Sequence, residues 1–173
     1  MRRRALLSLA AALAGGCLSA ARSDTPTGER LPPTGDGVAL GFDAGDPFER
    51  RAVGEPATDN HHRIVVWNDD ADRRSIRVRV RVVGVADPAV SASPTFPAYG
   101  TFRIVVFRPA DYVLEVSGPE GPTRQLGVPR EFVDCDDSAT HVAVRPDGSI
   151  RARVVSAAPG CDSDSDPQPR VSR

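Results

Sequence analysis

The sequence predicts an all-β domain, built as a sandwich or a small barrel. Short runs rich in Val and Ile are separated by Gly, Pro and Asp, and no window of ten or more residues shows a helical period. The runs recur at spacings near ten residues, which is typical of sandwiches and small barrels. The chain of 173 residues has room for one such domain once its two ends are set aside. We expect seven or eight strands.

The clearest strand covers residues 75–82. Its apolar side chains alternate with Arg77, Arg79 and Arg81, so one face packs on a core and the other faces water. Residues 62–67 form a continuous apolar run that ends in an Asn-Asp-Asp turn cluster, which indicates a more deeply buried strand. We expect these two segments to form a strand, turn, strand unit.

A second pair of strands is predicted at residues 101–107 and 112–117, joined by residues 108–111. Residues 124–128 indicate a weaker strand, and residues 48–53 indicate a strand at a sheet edge. The inward-facing side chains of the second pair are predicted to be Phe102, Ile104, Val106, Tyr112, Leu114 and Val116.

The last two predicted strands form a hairpin. Residues 139–145 and 149–155 flank Pro146-Asp147-Gly148, a turn in which the glycine supplies a positive φ. His141 alternates with Val142 and Val144 and is therefore predicted on the wet face.

Both ends of the chain are predicted to lie outside the domain. Residues 1–16 combine an Arg-rich start, a short apolar run and small residues, which is typical of an export signal and too short to span a bilayer. Residues 17–37 and 162–173 are polar and cannot bury enough surface to offset their ordering entropy. We therefore predict a flexible tether, a β-sandwich domain at residues 38–161, and a disordered tail.

The end of the leader, Leu13-Ala14-Gly15-Gly16-Cys17, resembles a lipobox. The resemblance implies that Cys17 becomes the first residue and carries a lipid, which anchors the protein to the extracytoplasmic face of the membrane. The alternative is cleavage after Ala21, which releases a secreted protein. Arg3-Arg4 also resembles a twin-arginine signal, so both export routes stay open.

The cysteine count agrees with the lipidation. Three is odd, and lipidation of Cys17 leaves Cys135 and Cys161 as one disulfide pair in an oxidising compartment. Closing this loop of about 27 residues is expected to stabilise the fold by roughly 3.5 kcal/mol. Metal ligation by the two thiols is the alternative, but only His141 lies nearby in sequence.

Residues 109–116, Pro-Ala-Asp-Tyr-Val-Leu-Glu-Val, resemble the tyrosine corner of immunoglobulin-like and fibronectin-type domains. The resemblance implies an immunoglobulin-like antiparallel β-sandwich in which the Tyr112 hydroxyl bonds to the backbone at the corner. Leu114 stands where antibody domains have a cysteine, so the likeness is to the broad fold and not to the antibody family.

The whole arrangement resembles small haloarchaeal lipoproteins. It combines the lipobox, the Pro-rich tether, Val-Val-Trp-Asn-Asp at residues 65–69 and the later cysteine pair. An origin in a high-GC actinobacterium is the alternative.

Three arginines, Arg77, Arg79 and Arg81, are the candidate basic face for an anionic polymer or lipid headgroups. Three more, Arg103, Arg151 and Arg153, are predicted to extend this face. The competing interpretation is a solvated face with acidic partners, including a cross-strand pair between Arg79 and Glu115. Nucleic acid is not favoured as a partner, because 22 basic residues meet 23 acidic ones and no aromatic residues are interleaved for base stacking.

No metal or cofactor is predicted. Asp59, His61 and His62 offer metal-ligand atoms, but neighbouring residues on a strand point to opposite faces. Asn68 to Asp70 with Asp72, and Asp136 with Asp137, are interpreted as turns rather than calcium sites. Asp162, Asp164 and Asp166 mimic half of a calcium loop, but Pro167 stands where the turn glycine is needed.

Catalysis is not predicted either, since the sequence has no Gly-x-Ser-x-Gly motif and no phosphate-binding glycine loop. We expect a membrane-anchored lipoprotein that acts as a binding or structural module. The alternative is an envelope protein that binds a metal or a small ligand. A surface protein or a glycan is a possible partner. Residues 86–100 are the best candidate contact surface, and the alternative is a loop that closes over the core.

Overall fold

The computed structural model describes residues 46–56, 59–135 and 137–157, together with two short strands before them. These residues form thirteen strands and one turn of 3₁₀ helix at Arg130–Phe132. The strands are β1 (Glu29–Arg30), β2 (Pro33–Thr34), β3 (Glu49–Val53), β4 (His62–Asn68), β5 (Arg74–Ser75), β6 (Arg77–Val82), β7 (Pro88–Ala92), β8 (Thr95–Phe96), β9 (Thr101–Val106), β10 (Tyr112–Ser117), β11 (Arg124–Val128), β12 (Asp137–Val144) and β13 (Ile150–Ala157).

The strands form two main sheets that pack face to face, which confirms the predicted all-β sandwich. The five-stranded sheet has the order β1-β11-β10-β6-β7, and the six-stranded sheet has the order β2-β13-β12-β4-β9-β3. Strands β5 and β8 form a separate short pair. All eight predicted segments contain a strand, and the additional strands are β1, β2, β5, β7 and β8.

The predicted sandwich was antiparallel, whereas the pairing within the two sheets is mixed. The pairs β6/β7, β6/β10, β10/β11, β4/β9 and β12/β13 are antiparallel. Among the described strands, β1/β11, β2/β13, β3/β9 and β4/β12 are parallel. The two predicted strand pairs are corrected here, because β4 and β6, like β9 and β10, lie in opposite sheets and are joined by crossovers.

The core lies between the two sheets. The six predicted inward side chains of β9 and β10 are all fully buried, as are Ile64 and Val66 of β4. Val78 and Val80 of β6 belong to the five-stranded sheet and pack into the same core. The period-two alternation of the sequence therefore decides which side chains pack inside.

Tyr112 forms the predicted corner where the chain crosses from β9 to β10. Its ring is buried and its hydroxyl donates a hydrogen bond of 2.6 Å to the carbonyl oxygen of Arg108. Burial raises the pKa of this phenol. The neighbouring Asp111 accepts a hydrogen bond from the Arg130 amide at 2.9 Å, so the corner is also tied to the chain after β11.

Sheet pairing begins earlier than predicted. Strands β1 and β2 lie within residues 17–37, the predicted tether, and pair with β11 and β13. Each is only two residues long and leaves no alternating pattern in the sequence. The leader, Cys17 and the tail at residues 162–173 lie outside the described residues. In the part of the chain that is described, no helix is long and apolar enough to cross a membrane.

Residues 86–100 close over the core, which was the alternative to a contact loop. They contain β7, which pairs with β6, and β8, which pairs with β5. Phe96 is fully buried, with its ring 5.0 Å from that of Phe48 and 6.0 Å from that of Phe102. The prolines at 88, 94 and 97 obscured these strands in the sequence.

Candidate functional site

The predicted basic face lies on the outer surface of the five-stranded sheet and carries its own counter-charge. Glu115 of β10 stands opposite Arg79 in the register, as expected for the cross-strand pair. Its carboxylate lies 3.8 Å from Arg79 Nη1 and accepts a hydrogen bond of 2.8 Å from Arg81 Nη2. Gln125 donates to the same carboxylate at 3.2 Å. Arg77, opposite Ser117 at the end of the row, has no ion pair with an acidic side chain of the described residues.

The predicted extension of this face is wrong. Arg103 belongs to β9, and Arg151 and Arg153 belong to β13, both in the six-stranded sheet on the opposite side of the molecule. Alternation in the sequence shows that these side chains point away from the core. It does not show on which of the two sheets they lie.

The outer face of the six-stranded sheet is crowded with positive charge. In register across the sheet lie Arg50, Arg103, Val65, His141 and Arg153. The pKa of Arg103 is lowered, first by burial and then by the charges of neighbouring arginines. His141 faces outward as predicted but is half-buried, and burial together with the nearby guanidinium groups lowers its pKa to about 4.

Arg50 and Arg63 on this face have close acidic partners. Arg50 forms an ion pair of 3.2 Å with Asp46, and Arg63 of β4 forms one of 2.8 Å with Asp137 at the start of β12. Asp137 also lies 3.6 Å from Nε2 of His61. The sequence interpreted Asp137, together with Asp136, as part of a turn. In the structure Asp137 begins β12 and is the acidic partner of two basic side chains. Asp136 lies outside the described residues.

His62 is fully buried inside the sandwich, a position that the sequence did not reveal. Its Nδ1 lies 2.7 Å from the Ser138 hydroxyl, and its Nε2 lies 2.8 Å from the Thr140 hydroxyl. Ser138 in turn donates at 3.0 Å to the carbonyl oxygen of Phe132, whose ring stacks on the imidazole at 5.5 Å. His62 has the same strand parity as Ile64 and Val66, which is the signal that could have placed it.

This network fixes the protonation of His62. The Ser138 hydroxyl donates its proton to the carbonyl oxygen of Phe132, so the serine oxygen accepts a hydrogen bond from Nδ1–H of His62. The Thr140 hydroxyl then donates to the unprotonated Nε2 of the same ring. Burial lowers the pKa of His62 to about 3, and the charge of Arg63 acts in the same direction. The imidazole is therefore neutral at physiological pH, with both nitrogens occupied.

His61 and His62 do not share a site. The Nδ1 atom of His61 lies 2.7 Å from the backbone oxygen of Asp59, and its ring is directed away from the His62 pocket, towards Phe107 and Asp137. Within the described residues, no group of three or more His, Cys, Asp or Glu side chains is arranged to hold a metal ion.

The acidic cluster after β4 is used within the protein. Asn68 is buried, and its Nδ2 donates at 2.8 Å to the carbonyl oxygens of both Asp72 and Pro97. Asp70 accepts from the amide of Asp72 at 3.1 Å and forms an ion pair with Arg74. These contacts describe a turn, as the sequence predicted, and Asn68 also joins it to the loop at Pro97.

Two arginines fasten the same end of the sandwich to the β12–β13 turn. Arg145 forms an ion pair with Asp69. Arg74 donates to the carbonyl oxygens of Arg145 at 2.9 Å and Pro146 at 2.8 Å. Gly148 in this turn has a φ of +78°, as predicted.

Next to this turn lies an open groove of about 650 Å³. Its walls are residues 119–122, between β10 and β11, and residues 146–149, between β12 and β13. Arg74, Glu120 and Asp147 are among the residues that line it. The groove therefore offers polar groups of both signs to a small ligand.

Tyr99 is the most exposed large apolar side chain in the described part of the chain, at 59%. It has a φ of +54°, whereas the other positive-φ residues described, at 54, 84 and 148, are glycines. Its amide donates to the Asp70 carbonyl at 3.0 Å, and its carbonyl accepts from Trp67 Nε1 at 3.1 Å. The exposed ring thus stands on a backbone that is bonded on both sides.

Two predicted sites cannot be placed in full. Cys135 follows the 3₁₀ turn, but Cys161 lies outside the described residues, so their disulfide stays a prediction. The same holds for Asp162, Asp164 and Asp166.

Comparisons with known proteins assign no family. No family model matches the chain, and no curated protein matches it. Among solved structures, a catechol 1,2-dioxygenase from Acinetobacter sp. ADP1 aligns at 11% identity and a TM-score of 0.33, over 66% of this chain and 58% of that one. The dioxygenase domain of a carbohydrate-binding fusion protein from Streptomyces sp. SirexAA-E aligns at 7% identity and a TM-score of 0.33, over 77% and 100%. These scores are too low to transfer a fold or a function.

Proposed function

We propose that the protein is a lipid-anchored module of the extracytoplasmic membrane face, and that it acts by binding and not by catalysis. The anchor rests on the leader and on Cys17, which follows small residues in the manner of a lipobox. In this proposal the residues between Cys17 and β1 connect the anchor to the sandwich.

One observation carries the non-catalytic part of the proposal. His62 is the buried histidine of the sandwich, and both of its ring nitrogens are held by hydroxyl groups of β12. A general base needs a nitrogen within reach of a substrate proton. The carboxylates of Glu115, Asp69 and Asp70 are likewise engaged by arginines of this chain.

The anchor is tested by the intact mass of the protein extracted from membranes. We expect a mass that begins at Cys17 and includes a lipid adduct, and we expect the protein to partition into the detergent phase. The Cys17→Ala variant should lose both the adduct and the detergent partitioning. A wild-type protein that begins after Ala21 and stays in the aqueous phase would contradict the anchor. The same mass, measured with and without reduction and alkylation, counts the free thiols and so tests the Cys135–Cys161 disulfide.

A small-ligand or metal-binding protein of the envelope is the second candidate, favoured by the groove beside Arg74. Thermal unfolding in the presence of Ca²⁺, Zn²⁺, phosphate and short dicarboxylates separates this candidate from the first. A saturable rise in the unfolding midpoint that is lost in Arg74→Gln would support it. Gln125→Ala, outside the groove, is the control variant.

A further inference from the structure

The exposed ring of Tyr99 stands at a position that disfavours tyrosine. Pro97 to Gly100 form a β-turn closed by a hydrogen bond of 3.0 Å from the Gly100 amide to the Pro97 carbonyl. Tyr99 is the third residue of this turn, where a positive φ normally selects glycine or asparagine. An L side chain with a β-carbon is strained there, so the fold by itself would favour glycine.

The strain is not compensated by burial of the ring. Phe96, three residues earlier, fills the core, whereas the Tyr99 side chain is 59% exposed. Neither burial nor backbone geometry accounts for a tyrosine at this position. A binding role of the exposed ring accounts for it most simply.

The surroundings hold the backbone of Tyr99 in a fixed place. Trp67 and Asp70 bond to the carbonyl and the amide of Tyr99. Asn68 joins the two loops through its side-chain amide. A β-carbon on Gly100 would come within 2.7 Å of Pro97 Cδ, so the turn is also tightly packed. The backbone that carries the ring therefore needs little further ordering on binding, which favours affinity.

The loop that is bonded to the Tyr99 turn carries exposed polar side chains. Asp72 and Arg73 of this loop are exposed, and they lie two and three residues after Asp70, whose carbonyl accepts the Tyr99 amide. An exposed aromatic ring on a turn that adjoins a loop with a carboxylate and a guanidinium group suits a ligand with an apolar face and a hydroxylated edge. A sugar ring is such a ligand, because its axial C–H groups pack on an aromatic face while its hydroxyls accept and donate hydrogen bonds.

We propose that Tyr99 is a stacking platform for a pyranose ring of a neutral glycan. This deepens the proposed binding function, on which it rests. A protein partner is less well matched, since a stable protein interface has an apolar centre and buries about 800 Å² on each side. The exposed large apolar residues of the described chain are only Phe48, Val85 and Tyr99.

The test is affinity electrophoresis of the non-lipidated Cys17→Ala chain in native gels. Separate gels contain galactomannan, hydroxyethylcellulose or dextran, and a gel without polysaccharide gives the reference mobility. We expect retardation in at least one polysaccharide. Tyr99→Ala should weaken it about tenfold, which corresponds to about 1.4 kcal/mol. Tyr99→Phe keeps the ring and should keep the retardation.

Two further variants separate the ring's role in binding from a role in folding. Val85→Ala removes another exposed apolar side chain, 49% exposed and 14 residues before Tyr99, and should migrate as the parent does. Tyr99→Gly should lose retardation while its thermal unfolding midpoint stays equal or rises, because glycine relieves the strain.

Three results would overturn the inference: no retardation in any of the three gels, equal retardation of the parent and Tyr99→Ala, or a lower unfolding midpoint for Tyr99→Gly. None of them touches the anchor, because the chain used here carries no lipid. The mass measurement on the membrane-extracted protein remains the separate test of that proposal.

Discussion

Replacing His62 by glutamine should remove part of the acid sensitivity of the fold. The pKa of His62 falls from 6.5 to about 3 on folding, because the ring is buried between the sheets. The unfolded chain therefore binds a proton below pH 6.5 that the folded chain does not bind. Stability is highest above pH 6.5 and decreases as the pH falls from 6.5 towards 3.

The size of the effect follows from the two pKa values. Between pH 7 and pH 5, one histidine with these values lowers the free energy of unfolding by about 2 kcal/mol. His141 acts in the same direction, since its pKa is lowered to about 4, but it is partly exposed and contributes less. In His62→Gln the contribution of His141 remains, and only that of His62 is lost.

The assay is urea unfolding of the Cys17→Ala chain, followed by circular dichroism at pH 7 and pH 5. We expect the difference in unfolding free energy between the two pH values to be about 2 kcal/mol smaller in His62→Gln than in its parent. His61→Gln leaves the buried ring in place and is the matched control. Equal pH dependence in the parent and in His62→Gln would refute a neutral, buried imidazole.

Three other substitutions test the contacts that hold the sandwich together. Tyr112→Phe removes the hydroxyl bond to the corner carbonyl and should lower the free energy of unfolding by about 1 kcal/mol in urea titrations. Asn68→Ala removes two hydrogen bonds of a buried amide and should cost about 2 to 3 kcal/mol, with a lower thermal midpoint; a loss below 0.5 kcal/mol, about the effect of an ordinary surface change, would contradict this role. Glu115→Gln should cost less than about 1 kcal/mol, and the cost should shrink in 1 M NaCl, because its ion pairs are partly screened.

The strand positions were predictable because each sheet has one face on a core. That constraint imposes the alternation of Val and Arg along β6 and the burial of Phe102, Ile104 and Val106 along β9. Gly148 was predictable from its turn, and Tyr112 from the residues around it.

The sites were less predictable because they depend on which strands become neighbours. Arg103 and Arg153 lie on one sheet and Arg79 lies on the other, because the chain crosses between the sheets. The local alternation of apolar and polar residues does not predict these crossovers. The burial of His62 depends on hydroxyl groups that lie 76 and 78 residues later in the chain. The conformation of Tyr99 depends likewise on a bond from Trp67, 32 residues earlier.

The parallel pairing of β4 with β12 has a consequence for synthesis. Strand β4 is among the first strands made, yet one of its two neighbours in the sheet is among the last. Until that late segment emerges from the ribosome, the Ile-Val-Val stretch of β4 has an open edge, where a second nascent chain could add. Such a high contact order predicts slow folding that completes only after translation, and a chain truncated after β11 should aggregate instead of folding as a smaller sandwich.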